Sequence, residues 1–185
     1  MKYFIDTEFI EGFHKPTLRK ERHFIDLVSI GIVCEDGREF YAISNEWNYK
    51  DADKWVQENV LEKLEGEENI RYQSNEEIKK NLLMFFGCWQ DQHFWRAPNE
   101  QIEIYGYYAD YDWVLFCSLF GRMIDLPKGF PMYCRDLKQM MDENGLDKEW
   151  KRENCPDPEG EHNALVDAKW NKQLFHKMNN VLIPQ

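Results

Sequence analysis

Four carboxylates and one imidazole are placed along this sequence in a pattern that suits divalent-metal chemistry. Asp6 and Glu8 stand in KYFIDTEF near the beginning, Asp112 in YYADYDWV, and Asp167 in HNALVDAKW, five residues after His162. Carboxylate oxygens suit Mg²⁺ or Mn²⁺, and two such ions can bracket an in-line displacement at phosphorus. Each piece also has a plainer alternative. Side chains two apart on a strand share a face, so Asp6 and Glu8 are either a solvated strand tip or a repelling pair joined by a cation. Asp110 and Asp112 follow an apolar strand, where open α/β sheets gather ligands but where an Asp also serves as an ordinary helix cap. His162 sits at the mouth of a helix that carries Asp167. An imidazole there can take a proton from an attacking water, or it is a surface histidine beside an ordinary helical Asp.

Bringing these groups together requires a sheet. Residues 3–8, 25–33 (IDLVSIGIV) and 39–43 (EFYAI) read as a meander of three antiparallel strands, with a polar loop over 11–23. Helical periodicity marks 52–64, with Val56, Val60, Leu61 and Leu64 on one side and the acidic outer face expected in solvent, and 76–89, where Ser74 or Asn75 is the N-cap. After a loop over 90–100 come a strand at 101–108, a helix at 111–120 and a short strand at 131–134. Asp136 is expected to cap a helix running to about Asn144. Residues 145–160, with Gly145, Pro156, Pro158 and Gly160, read as an irregular approach to a final helix over about 162–179. Strands first, then helix-separated strands, imply an α/β fold. Its sheet is mixed, of five to six strands, an antiparallel meander followed by parallel strands, flanked by helices.

Size and composition agree with one domain over residues 1–185. The net charge of −11 counts against a broad duplex-binding face, which relies on many phosphate contacts from Lys and Arg. It leaves room for an enzyme that grips a few nucleotides. The five cysteines form no CxxC pair and are expected to be reduced thiols of a cytoplasmic protein. MKYFIDTEF reads as a strand rather than a signal peptide. The longest apolar stretches fall far below the roughly 18 residues that span a bilayer.

Taken together, the motifs resemble the DEDDh family of 3′–5′ exonucleases, on the ribonuclease H-like fold. The first motif, DxE after an apolar strand, is matched by Asp6 and Glu8. The second, A-x-[FY]-D, is matched by Ala109-Asp110-Tyr111-Asp112 and selects Asp112 over Asp110. The third, HxAxxD, is matched by His162, Ala164 and Asp167. Asn163 stands where the sister subtype has Tyr, which indicates the histidine subtype. The likeness runs from residue 3 to about residue 175. It is strongest to small bacterial exoribonucleases of the exoribonuclease AS type, with ribonuclease T and oligoribonuclease more distant. Many relatives have His-Asn before the Ala of the second motif, where this chain has Tyr107-Tyr108.

The resemblance implies two divalent cations, Mg²⁺ or Mn²⁺, held by Asp6, Glu8, Asp112 and Asp167. It implies His162 as general base, nucleoside 5′-monophosphates as products, single-stranded RNA or an RNA 3′ overhang as substrate, no membrane association and a homodimer. Candidate substrate contacts are Thr7 and Phe9 beside the first motif and Tyr108 beside the second. Lys15 and Arg19 join them, in a loop that also carries Lys20, Arg22, His14 and His23 and is either a phosphate grip or solvated surface. The neighbouring tyrosines 105, 107 and 111 are expected mostly in the core, with base stacking as the alternative. Two rivals stand beside the exoribonuclease: the same chemistry on DNA, as in proofreading exonucleases, and a nucleic-acid-binding module that has lost turnover.

Overall fold

In the computed structural model, residues 1–14, 20–64, 71–91 and 94–182 are described. A six-stranded mixed sheet has the order β4-β3-β2-β1-β7-β8. Its centre is a long hairpin, β1 (Lys2–His14) against β2 (Arg22–Cys34), with β3 (Glu39–Ser44) antiparallel to β2 and β4 (Tyr72–Gln73) parallel at the edge. On the other side β7 (Glu103–Gly106) and β8 (Arg135–Asp136) run parallel to β1. This is the meander-then-parallel sheet expected of a ribonuclease H-like fold. A two-stranded ribbon, β5 (Trp89–Gln90) with β6 (Trp95–Arg96), stands apart.

Helices cover both faces, and β1 alternates between them. Tyr3 and Ile5 enter a core with α3 (Asn75–Phe85) and α4 (Asp110–Phe120), through Ile78, Leu82, Leu115 and Phe116. Phe4 enters a second core with α5 (Leu137–Glu143), α6 (Lys148–Asn154) and α7 (Ala164–Leu182), through Leu137, Trp150, Trp170 and Leu174. Period-two alternation with both sides apolar is what a sheet sandwiched between helices requires. Beside α7, α1 (Lys54–Val56) runs through a π-helical segment, Gln57–Leu61, into α2 (Glu62–Leu64).

Several local expectations shift. Both ends of the presumed loop over 11–23 are strand, since Glu11–His14 pair with Arg22–Ile25, while residues 15–19 lie outside the described residues. Aromatic rings alternate there and meet across the hairpin, Phe13 with His23 at 5.4 Å and His14 stacked on Phe24 at 4.3 Å, the cross-strand contact that holds an exposed ribbon together. The strand expected at 131–134 lies at Arg135–Asp136, where Tyr105 and Gly106 supply a parallel partner. The stretch 145–160 contains α6, begun by the Asp147 carboxylate accepting from the Trp150 amide at 2.9 Å. The segment 52–64 keeps the two sides expected of it, with Asp53, Glu58 and Glu62 exposed. Val60, Leu61 and Leu64 are buried against Ile10, Val28 and Ile43. The expected caps are present: Ser74 and Glu77 form a capping box on α3, and Asp136 caps α5.

Candidate active site

β1 is flanked by β7 only as far as Phe4, which pairs with Tyr105. Beyond that point β1 continues with β2 alone, and a crevice opens past the carboxyl end of β7, the usual ligand site of an α/β sheet. Asp6 and Glu8 lie on this stretch. A bulge follows Glu8, where the register jumps from Glu8↔Ser29 to Phe9↔Leu27. Bulges next to active sites re-aim side chains.

The two remaining carboxylates come from helices on opposite faces. The turn after β7 holds Tyr108 in the left-handed region (φ 55°), and the Ala109 amide donates to Asp136 Oδ2 at 2.7 Å. This clamp starts α4 and delivers Asp112, which is buried. Asp112 Oδ1 accepts from both the amide of Thr7 (2.8 Å) and its hydroxyl (2.5 Å). On the other face, α7 packs tightly against β2. A Cβ built on Gly31 would stand 2.2 Å from the Ala164 carbonyl oxygen, so only glycine lets the first turn of α7 rest there. Asn163 Oδ1 caps that turn by accepting from the amides of Leu165 and Val166. His162 therefore precedes the helix rather than opening it. Its φ is 68°, and its amide donates to Asp167 Oδ2 at 2.8 Å.

These elements line one cleft of about 490 Å³ with Asp6, Glu8, Asp112, His162 and Asp167. One oxygen each from Asp6, Glu8 and Asp167 lies within 4.8 Å of the others. Desolvation, then the charges of Asp112, Glu8 and Asp167, push the Asp6 carboxyl well above its ordinary range. Desolvation and the charges of Asp167 and Asp112 raise Glu8 to about 8. Asp112 is also raised by burial, against the pull of its Thr7 hydrogen bonds. Asp167 rises for the same reason, held back by the His162 amide. Carboxylates crowded and desolvated in this way form a site that a divalent cation would satisfy. Asn171 supports the fit. Its Nδ2 pins the Ile5 carbonyl at 2.9 Å, while its buried Oδ1, at the same cleft, has no partner among the described residues.

Around the acids stands an aromatic rim. Phe9 and Tyr111 lie 5.3 Å apart, Tyr108 is 62 % exposed against Tyr107, and all four line the cleft. Tyr105 is buried in the core as expected, whereas Tyr108 and Tyr111 are exposed at the cleft. Thr7 also lines the cleft, but both its polar donors are directed at Asp112. Lys15 and Arg19 lie outside the described residues. Two neighbours had no sequence signal of their own. Trp55 of α1 meets the His162 ring edge-on at 4.8 Å, and Lys63, in α2, donates to the Glu161 carbonyl. Gly31 did have a signal, a glycine inside an Ile/Val strand, which marks close backbone approach. All five cysteines are unpaired, and among the described residues no helix is long and apolar enough to cross a membrane.

Comparison with known proteins agrees with this arrangement. The family model described as the 3′–5′ exoribonuclease Rv2179c-like domain matches residues 1–179. The 3′–5′ exoribonuclease Rv2179c of Mycobacterium tuberculosis strain H37Rv is 36 % identical over 169 residues, covering 91 % of this chain and 88 % of the relative. The 3′–5′ exoribonuclease MT2234.1 of strain CDC 1551 gives the same figures. The chain thus belongs to the family of Rv2179c-like 3′–5′ exoribonuclease domains.

Proposed function

We propose that this chain is a 3′–5′ exoribonuclease of the DEDDh type. It removes nucleoside 5′-monophosphates from single-stranded RNA or from an RNA 3′ overhang, using two Mg²⁺ or Mn²⁺ ions. One observation carries the proposal: Asp6, Glu8 and Asp167 offer oxygens within 4.8 Å of one another, in a cleft that His162 also lines. These three residues would hold one cation, and Asp6 with Asp112 would hold the second. When bound, the cations supply the Lewis acidity that stabilises charge developing on the phosphodiester and on the departing 3′ oxygen.

The chain's own groups do the rest. Thr7 fixes the Asp112 carboxylate with two donors, and the His162 amide fixes Asp167. The His162 imidazole takes the proton of the attacking water, with Trp55 packed edge-on against its ring. Phe9, Tyr108 and Tyr111 offer faces to unpaired bases. The unpaired cysteines support a cytoplasmic setting. A groove lined by Val114, Met123, Met132 and Tyr133, each at least 41 % exposed, is the surface that supports a homodimer.

The test is digestion of RNA and DNA oligonucleotides, labelled at the 5′ or the 3′ end, with and without EDTA. Mononucleotides should leave the 3′ end of RNA only, and chelation should stop them. Asp6→Asn and Asp167→Asn should each abolish release without unfolding the chain. Undiminished rates in either variant would remove that residue from the site, and equal rates on DNA would overturn the RNA assignment.

A further inference from the structure

The cleft is strongly acidic, lined by Asp6, Glu8, Asp112, Asp157, Glu161 and Asp167. Among the described residues that line it, Lys151 is the one lysine or arginine. It reaches the cleft from α6, and its surroundings are unusual for a lysine. The ammonium lies 4.9 Å from the ring centre of Trp170 and 5.2 Å from that of Tyr107. Its side chain is only 18 % exposed, and it pairs with Asp157 Oδ1 at 2.5 Å, a carboxylate that is itself 54 % exposed.

The ion pair alone does not account for this. Ordering a lysine side chain costs rotamer entropy, which a pair with a half-exposed carboxylate does not fully return. A cation held between two π faces is, however, already organised to receive an anion. Trp170 follows Asp167 by three residues on α7, and Tyr107 follows the end of β7, so the ammonium borders the acids without belonging to their cluster. We infer that Lys151 binds a non-scissile phosphate of the RNA strand, and that Asp157 occupies the ammonium until the strand arrives. This rests on the exonuclease reading for the identity of the strand. The ammonium has three donors, and exchanging an exposed carboxylate for a phosphate keeps its charge paired.

The experiment measures KM and kcat for a short single-stranded oligoribonucleotide over a range of salt concentrations. It also measures Kd for the same strand carrying a fluorophore, with Ca²⁺ replacing the catalytic ion. Lys151→Gln should raise KM and Kd about tenfold with little change in kcat. It should also flatten the slope of log Kd against log salt by about 0.7, the value for one phosphate contact on a single strand. Lys151→Arg should restore most of both. Asp157→Asn should lower KM, because it releases the ammonium. Equal increases in KM for Lys151→Gln and Asp157→Asn would show a pair that merely pins the 155–160 loop, and would overturn the inference. So would an unchanged salt slope in Lys151→Gln. A chain that binds the strand with this Lys151 dependence yet releases no mononucleotide would refute turnover and leave the phosphate contact standing.

Discussion

Asp112 and Asp167 both reach the cleft from the beginning of a helix, yet the two helix mouths hold them by different means. Asp112 is buried and receives two donors from one residue, Thr7, on the neighbouring strand. Its helix is set by a side chain, Asp136, which grips the Ala109 amide. Asp167 is half-buried and is held by backbone amides, chiefly that of the left-handed His162. Its helix is set by the lack of a side chain at Gly31, where α7 touches β2. One mouth is thus held by polar groups and tolerates small adjustment. The other is held by backbone contact and leaves no room. Both residues with positive φ other than glycine among the described residues, Tyr108 and His162, belong to these two mouths. Strain gathers where geometry is over-determined for function.

The largest expected effect comes from the side without slack. Gly31→Val drives a side chain into the Ala164 backbone and displaces α7 with Asp167 and His162. Destabilisation of ~3 kcal/mol and loss of activity are expected, read by denaturant melts and the nuclease assay together. A folded, active variant would show that the contact does not place the helix. Next comes His162→Asn, which suits the left-handed backbone but removes the imidazole. Turnover should fall by about 10²–10⁴-fold with metal binding, followed by calorimetry, retained. Loss of metal instead would make the imidazole a ligand.

The polar side should respond more gently. Thr7→Val keeps the amide donor and deletes the hydroxyl. Metal affinity should weaken by about 10–100-fold, so that activity lost at low Mn²⁺ returns at saturating Mn²⁺; failure to recover would place Thr7 in another role. A last effect concerns stability rather than turnover, through the charge the two mouths share with β1. Glu8 is raised from 4.5 to about 8, so the folded, metal-free chain holds more protons than the unfolded chain between those values. Its stability should therefore fall as pH rises through that window. Divalent metal should offset the fall, because it binds the folded state. Melting temperatures of metal-free chain that rise from pH 5 to pH 8 would contradict the crowding of these carboxylates.

Much of this geometry was legible along the chain. Asp6 and Glu8 could be assigned to one face because strand periodicity is local, and the caps at Ser74 and Asp136 because capping is decided within a few residues. The strand ends at 11–14 and 22–23 were misread as loop because their polar residues masked cross-strand aromatic pairs, which exist only once β1 and β2 meet. The inner side of the helical segment 54–64 could be read from the spacing of its apolar residues, but not what buries it, because Ile10, Val28 and Ile43 lie elsewhere in the chain.

The sequence alone determined the chemical inventory: carboxylates and an imidazole, each borne on an element whose type is set by short-range periodicity and capping. Only the tertiary structure decided which groups share a cleft, that Thr7 supports Asp112, that Trp55 faces His162 and that Lys151 borders the acids. Local preferences act over a few residues, but these contacts join distant positions, more than a hundred residues apart for Thr7 with Asp112 and for Trp55 with His162, and their geometry depends on how tightly α7 can approach the sheet at Gly31.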